Sequence, residues 1–341
     1  MDSYPAFPEL TDFAEPRLRR VAMRPTVRAW VRHGALLFLT FLTTTFGGIA
    51  FIYGDAVAPN IPEPGSWIGY LGYIPHYYFA SIVAIGQLAQ THPFILGQGL
   101  AFSISLLAIL TSHEAGHYVA CRIYGVDATL PFFLPAPPLL GPGTFGAFIK
   151  IVSPIPSRRA LFDIGVAGPL AGFVVVIPVA VLGIWTSHPV PASVLAEGGA
   201  TLSDPLLIKL LAGLMHVNVD QVALNPFWFA AWIGLLVTSL NLLPVGQLDG
   251  GHAVMAVFGG TVHRWLGRAA FVTMLTLAAL GWFLHGSPGG FLYTVILAIM
   301  LKVGHPAPPD MTPLDTRRLA VAAITLVVFA LSFWPFPVTF K

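Results

Sequence analysis

Seven stretches of this chain are apolar over roughly the length a helix needs to cross a bilayer. They run at about 34–53, 93–112, 160–186, 226–244, 267–284, 289–303 and 318–334. A hydrocarbon core about 30 Å thick needs about 20 helical residues. Inside hydrocarbon every backbone N–H and C=O must be paired within the segment, so such runs are helices. Of the 341 residues, 56% are hydrophobic and only 9% are charged, against about 25% charged in an ordinary soluble domain. The expectation is an all-α polytopic membrane protein with about seven transmembrane helices, lying in a lipid bilayer.

Basic residues set the orientation. Arg17, Arg19, Arg20, Arg24, Arg28 and Arg32 precede the first run, and no Lys or Arg follows until Arg122. The positive-inside rule then puts the N-terminus in the cytoplasm and 54–92 outside. Counting on, Arg122, Lys150, Arg158, Arg159, Arg264, Arg268, Lys302, Arg317 and Arg318 fall inside, and only Lys209 and Lys341 outside. Seven spans satisfy this count better than six or eight. The membrane is expected to be a bacterial cytoplasmic one. The first 33 residues are polar and rich in Pro and Arg, so no cleavable signal peptide is expected and targeting rests on the first apolar helix. There is no basic patch of the kind nucleic acid needs. Cys121 is the single cysteine, which rules out an intrachain disulfide and a cysteine-based zinc site.

At the end of the second run stands His113-Glu114-Ala115-Gly116-His117, an H-E-x-x-H motif. Residues i and i+4 share a helix face, so both imidazoles can hold one Zn²⁺ with the glutamate beside them as a base. Ionisable groups at membrane depth are expensive and mark function by default. A catalytic zinc site usually has three protein ligands. The candidate third ligand is Asp249, in Asn241-Leu-Leu-Pro-Val-Gly-Gln-Leu-Asp249-Gly-Gly-His252. It follows a run that ends on the cytoplasmic side in the same count, so it can reach the level of His113 and His117. Pro244 and the glycines break the helix there and let the backbone turn a carboxylate inward.

With these residues the chain resembles the site-2 protease family of intramembrane zinc metalloproteases. HEAGH at 113–117 matches the family's HExxH, and NLLPVGQLDG at 241–250 matches its second signature. Gly168-Pro169-Leu170-Ala171-Gly172 resembles the glycine-rich segment of the core helix between them. The resemblance covers roughly 93–260. It implies a three-helix catalytic core and one Zn²⁺ per chain, held by His113, His117 and Asp249. It also implies Glu114 as the base that activates water, and Asn241 near the substrate backbone or the developing oxyanion. His252 is a candidate hydrogen-bond partner behind the ligands. The implied substrates are transmembrane protein segments, cut in regulated intramembrane proteolysis. The loop 187–225 has no room for the PDZ domain that part of the family carries.

The expected organisation is a cytoplasmic segment 1–33, a first transmembrane helix with an external or interfacial segment over 34–92, the catalytic core 93–260, and C-terminal transmembrane helices over 261–341. The stretch 68–90 is apolar but interrupted by Gly and Pro, which suggests an interfacial or re-entrant segment. The stretch 127–156 is apolar yet too rich in Pro and Gly for a continuous helix. Its second half, 145–152, is β-like. It is read as a small re-entrant sheet that could hold an unwound substrate by edge pairing, with amide donors at 146, 148 and 150; a surface loop on the headgroups is the plainer alternative. Gly168 and Gly172 are explained by close helix packing alone, Arg158 and Arg159 by membrane anchoring, and Asp163 by the helix dipole. Two rival functions share these residues: a membrane metal-ion transporter, which leaves Glu114 unexplained, and an inactive relative that only binds membrane helices.

Overall fold

A computed structural model describes residues 22–137, 141–189, 200–219, 222–223, 225–287 and 289–340. Arg17, Arg19, Arg20 and Lys341, used in the charge count, lie outside the described residues. In chain order the elements are α1 (Val27–Ile52), α2 (Gly54–Val57), α3 (Tyr70–Thr91), α4 (Pro93–Ile123), β1 (Phe132–Pro135), β2 (Thr144–Phe148) and α5 (Arg158–Trp185). There follow β3 (Ala200–Leu202), α6 (Leu206–Leu214), α7 (Pro226–Asn241), α8 (Asp249–Phe258), α9 (Gly260–His285), α10 (Gly289–Lys302), α11 (Thr316–Ser332) and β4 (Val338–Phe340).

Among the described residues four helices, α1, α4, α5 and α9, are long and apolar enough to cross a membrane by length and composition. The other three expected spans are the helices α7, α10 and α11, of 16, 14 and 17 residues. At 1.5 Å per residue they measure about 21–26 Å, less than the hydrocarbon thickness. The Gly and Pro residues of the stretch 68–90 do not break it. It forms the continuous 22-residue helix α3, with Pro75 inside it. Pro75 sits in the second turn, where one carbonyl loses its donor but the helix carries on.

Local chemistry explains the helix starts. Ser157 Oγ accepts the Ala160 N–H at 3.2 Å to open α5, and Asn225 Oδ1 accepts the Trp228 N–H at 3.0 Å to open α7. Pro93 and Pro226 fill the first helical positions of α4 and α7, where no N–H is needed.

The core is built by α4, α5 and α7 packed on one another, as the three-helix expectation has it. Phe102, Leu106, Ile109, Val176, Ala230, Ala231 and Leu235 close it. Glycines let the backbones approach: a Cβ on Gly183 would lie 2.5 Å from the Trp228 nitrogen. Helix α1 joins the outside of α4 through small and hydroxyl residues, with Thr44 Oγ1 and Ser103 Oγ 2.6 Å apart. Each hydroxyl also finds a main-chain carbonyl, Phe41 O for both. Such pairing suits helices that meet without water to drive them together.

Two small sheets complete the described fold. Strands β1 and β2 form an antiparallel pair, with Phe132 opposite Phe148 and Phe133 opposite Ala147. The second pair, β3 with β4, joins the loop after α5 to the C-terminal end; the sequence offered no sign of it. Asp163 has more than a dipole role. It takes a two-pronged contact from Arg318 of α11, at 2.9 Å to Oδ1 and 2.6 Å to Oδ2, and the Tyr124 hydroxyl also bonds Oδ2. Arg158 is likewise more than an anchor. Its guanidinium donates to the carbonyls of Ala256 and Val257, the latter at 2.7 Å, and so pins the C-terminal turn of α8 to the start of α5.

Candidate active site

His113, Glu114 and His117 lie one turn apart near the C-terminal end of α4, and all three are buried. Asp249 comes from the first residue of α8, after α7 ends at Asn241 and the chain turns through 242–248. That turn depends on glycine. A Cβ on Gly250 would lie 2.0 Å from the Leu242 carbonyl oxygen, and Gly246 holds φ +55°. Helix α8 is therefore folded tightly back against its own lead-in, with the carboxylate at its N-terminus facing α4.

The three expected ligands converge. His113 Nε2 and His117 Nε2 are 3.1 Å apart, and Asp249 Oδ2 lies 3.2 Å and 3.3 Å from them. Tetrahedral bonds of about 2.0–2.1 Å to nitrogen and oxygen put neighbouring donor atoms about 3.3 Å apart. The triangle therefore has the edge length of one face of a zinc tetrahedron. The donor chemistry agrees. His117 Nδ1 donates to the Ile164 carbonyl at 2.7 Å, which leaves its Nε2 as a lone pair. That lone pair faces a carboxylate oxygen. Two acceptors at this distance repel unless a cation or proton lies between them. The residues present fit the metal.

The space for His117 comes from Gly168 of α5. A Cβ there would lie 2.1 Å from His117 Nε2. Gly172 is less tight, with 3.2 Å to the His113 Cβ. The glycine-rich segment thus does more than bring two helices together, because Gly168 makes room for the Nε2 edge of His117.

These groups line a cavity of about 190 Å³, together with Ala147, Phe148, Ile149, Ile151, Asn241, Gln247 and His252. Two larger grooves, about 600 and 570 Å³, run along the outside of α4. Neither carries an ionisable side chain; a third cavity, of about 670 Å³, is lined by His263, Arg264, Arg268 and His305 but by none of the three converging residues. Glu114 stands with Oε1 4.0 Å from His113 Nε2, and the backbone amide of Ile149 faces its carboxyl group. Asn241 Nδ2 lies 3.5 Å from His113 Nε2. That is long for a hydrogen bond, so the amide sits beside the ligands without being spent on them.

The sheet edge corrects the expected donors. Lys150 N–H donates to Thr129 Oγ1 at 2.9 Å, and Val152 N–H to the Asp127 carbonyl at 2.7 Å. These even-numbered amides face the β1 side. Gly146 N–H is held by Thr144 Oγ1. Amides alternate along a strand, so the side away from β1 carries those of Ala147, Ile149 and Ile151, and not those of 146, 148 and 150; of these, the Ile149 amide faces Glu114.

His252 lines the cavity but turns its Nδ1 away, 2.6 Å from Nε2 of His305 in the segment after α10. Burial, reinforced by His305, holds His252 down at about 4. Burial also holds His305 below the ordinary histidine value. Sequence reading missed His305, Gln247, the Ile164 carbonyl and the Ile149 amide. Gln247 sits inside the second signature and had a positional signal. The other three are brought in by tertiary contact.

The sequence model of peptidase family M50 matches residues 101–282. The chain belongs to peptidase family M50. The match takes in most of α4, all of α5, α7 and α8, and so His113, His117 and Asp249. Among similar proteins is "Probable zinc metalloprotease EGY1, chloroplastic" of Arabidopsis thaliana, 32% identical over 252 residues, 72% of this chain and 44% of that protein. The EGY1 protein of Oryza sativa subsp. japonica is 32% identical over 250 residues, 71% of this chain and 42% of that one. "Probable zinc metalloprotease EGY2, chloroplastic" of Arabidopsis thaliana is 29% identical over 252 residues, 72% and 43% of the two chains. The chain spans less than half the length of these M50 relatives. They are plant chloroplast proteins, so they lend no support to the expected bacterial membrane.

Proposed function

We propose that this M50 protein is an intramembrane zinc metalloendopeptidase that hydrolyses peptide bonds in or near transmembrane segments of membrane proteins. The observation that carries the reading is the His113–His117–Asp249 triangle with zinc-sized edges and a buried carboxyl group, Glu114, beside it. These three would hold one Zn²⁺. When bound, the ion supplies Lewis acidity toward a carbonyl and toward water.

The residues of the chain do the rest. Glu114 takes a proton from the attacking water and delivers it to the nitrogen of the leaving amine as the C–N bond breaks. The Ile149 amide orients the Glu114 carboxyl group for both transfers. Asn241 Nδ2, at the edge of the cavity, has a free donor for the carbonyl oxygen as it gains charge. A transmembrane helix must unwind before it can be cut. The free edge of β2 and its continuation, with the amides of Ala147 and Ile151, would take the unwound strand by main-chain pairing. His252 supports the wall behind these groups.

The reading places the site near the cytoplasmic face of a multi-pass protein whose N-terminus is cytoplasmic; the distribution of basic residues supports it. Comparing membranes that hold the parent with membranes that hold Glu114→Gln tests the function. A membrane protein that accumulates uncut in the variant is the expected result. Metal flux across vesicles by the parent, with no cleavage product, would replace the protease with the transporter.

A further inference from the structure

The segment that follows α10 lies outside the residues matched by the family model, yet it reaches the catalytic cavity. Two hydrogen bonds tie it there. Gln247 Nε2 donates to the Gly304 carbonyl at 2.8 Å, and the rings of His252 and His305 meet at 2.6 Å through Nδ1 and Nε2. Gln247 and His252 both line the catalytic cavity. Gly304 and His305 line a separate cavity of about 670 Å³ between α8, α9 and the end of α10.

The hydrogen positions in this pair follow from one carbonyl. His305 Nδ1 lies 2.9 Å from the Pro306 carbonyl oxygen. A carbonyl only accepts, so Nδ1 carries the hydrogen, and in a neutral imidazole Nε2 is then a lone pair. His252 Nδ1 must donate to that lone pair. Neutral His252 is thereby left with a bare Nε2, and nothing among the described residues bonds to that atom. The backbone of His252 is fixed as well, because Gly165 of α5 lies so close that a Cβ on it would be 2.7 Å from the His252 Cβ. A neutral His252 in this tautomer cannot donate to Asp249. It offers an acceptor.

We propose that His305 is a positioning residue: by accepting the His252 Nδ1–H it fixes the tautomer of His252 and leaves Nε2 as an acceptor for water in the catalytic cavity. A hydrolase buried among apolar helices needs water held where the reaction consumes it. Glu114 and Asp249, once engaged, leave few acceptors on that wall. The proposal rests on the protease reading only for its kinetic part. The tautomer is a property of the folded chain.

The test uses the full-length protein in detergent, labelled with ¹⁵N in the histidine rings. The expected spectrum has His252 hydrogenated on Nδ1 in the parent, with that signature lost in His305→Leu. Cleavage of a reconstituted single-span substrate should fall in kcat about tenfold in His305→Leu, as loss of one buried hydrogen bond allows. KM and zinc content should not change. His305→Gln, whose side-chain carbonyl can accept the same hydrogen, should retain most of the rate. In a His252→Ala background, His305→Leu should cost nothing further. A parent His252 hydrogenated on Nε2 overturns the proposal, as does an equal loss in the Leu and Gln variants, or a full loss in the His252→Ala background. Absence of any cleavage by the parent would sink the protease reading, while the spectrum would still decide this one.

Discussion

Replacing Gly168 by alanine should remove the metal while leaving the helices assembled. The added methyl carbon would sit 2.1 Å from His117 Nε2, where ordinary contact begins at 3.4 Å. Something must therefore move by more than 1 Å. The imidazole cannot simply swing aside, because its Nδ1 is held by the Ile164 carbonyl at 2.7 Å, on the same helix as residue 168. A shift of that size is several times the roughly 0.2 Å tolerance of a zinc–ligand bond. Disturbing the orientation of a single ligand costs about 10–100-fold in metal affinity, and displacing its donor atom should cost at least the upper end. Gly172→Ala is the internal control. Its Cβ would meet the His113 Cβ at 3.2 Å, so a few tenths of an ångström suffices and affinity should change by less than tenfold. Zinc per chain, measured by mass spectrometry on detergent-purified protein at a series of buffered zinc concentrations, reads both. If Gly168→Ala binds zinc as tightly as the parent, the reasoning about His117 is wrong.

Other consequences follow from different parts of the fold. Proline at Ala147 or Ile151, which removes an amide from the free edge, should slow cleavage more than proline at Phe148, in assays where zinc content is unchanged; the opposite ranking would restore the even-numbered register. Folded His252 holds at about 4, so between there and about 6.5 the unfolded chain binds a proton that the folded chain does not. Its contribution to stability is complete above that window and is lost as pH falls through it. In chelator, the melting temperature should drop on acidification, and by less in His252→Gln. Arg318→Leu leaves Asp163 without its cationic partner in a half-buried site, and should destabilise the packing of α11 on α5 by about 1–3 kcal/mol, seen as earlier proteolytic clipping at the C-terminal end.

Sequence made His113, Glu114 and His117 legible because their geometry is local: one helix turn brings i and i+4 together whatever surrounds them. Asp249 was legible by a different route, since the count of basic residues put two distant segments at one depth. The β-like segment showed itself through prolines and glycines that no helix tolerates. Its donor parity did not, because that depends on Lys150 donating to the side chain of Thr129, far back in the chain. Gly168 looked like packing alone, since nothing in a sequence reveals which ring a missing Cβ leaves room for. Asp163 and Arg158 had plausible local roles, yet their partners lie on α11, Tyr124 and α8. His305 carried no motif at all. Its part comes from a contact between two histidines far apart in the chain.

The account stands most directly on one comparison, between the parent and Glu114→Gln reconstituted with zinc and a single-span membrane substrate. The expected result is the same zinc content in both, because Glu114 is not part of the His113–His117–Asp249 triangle, and cleavage in the parent alone. Cleavage by Glu114→Gln at the parental rate, with zinc still bound, would contradict it.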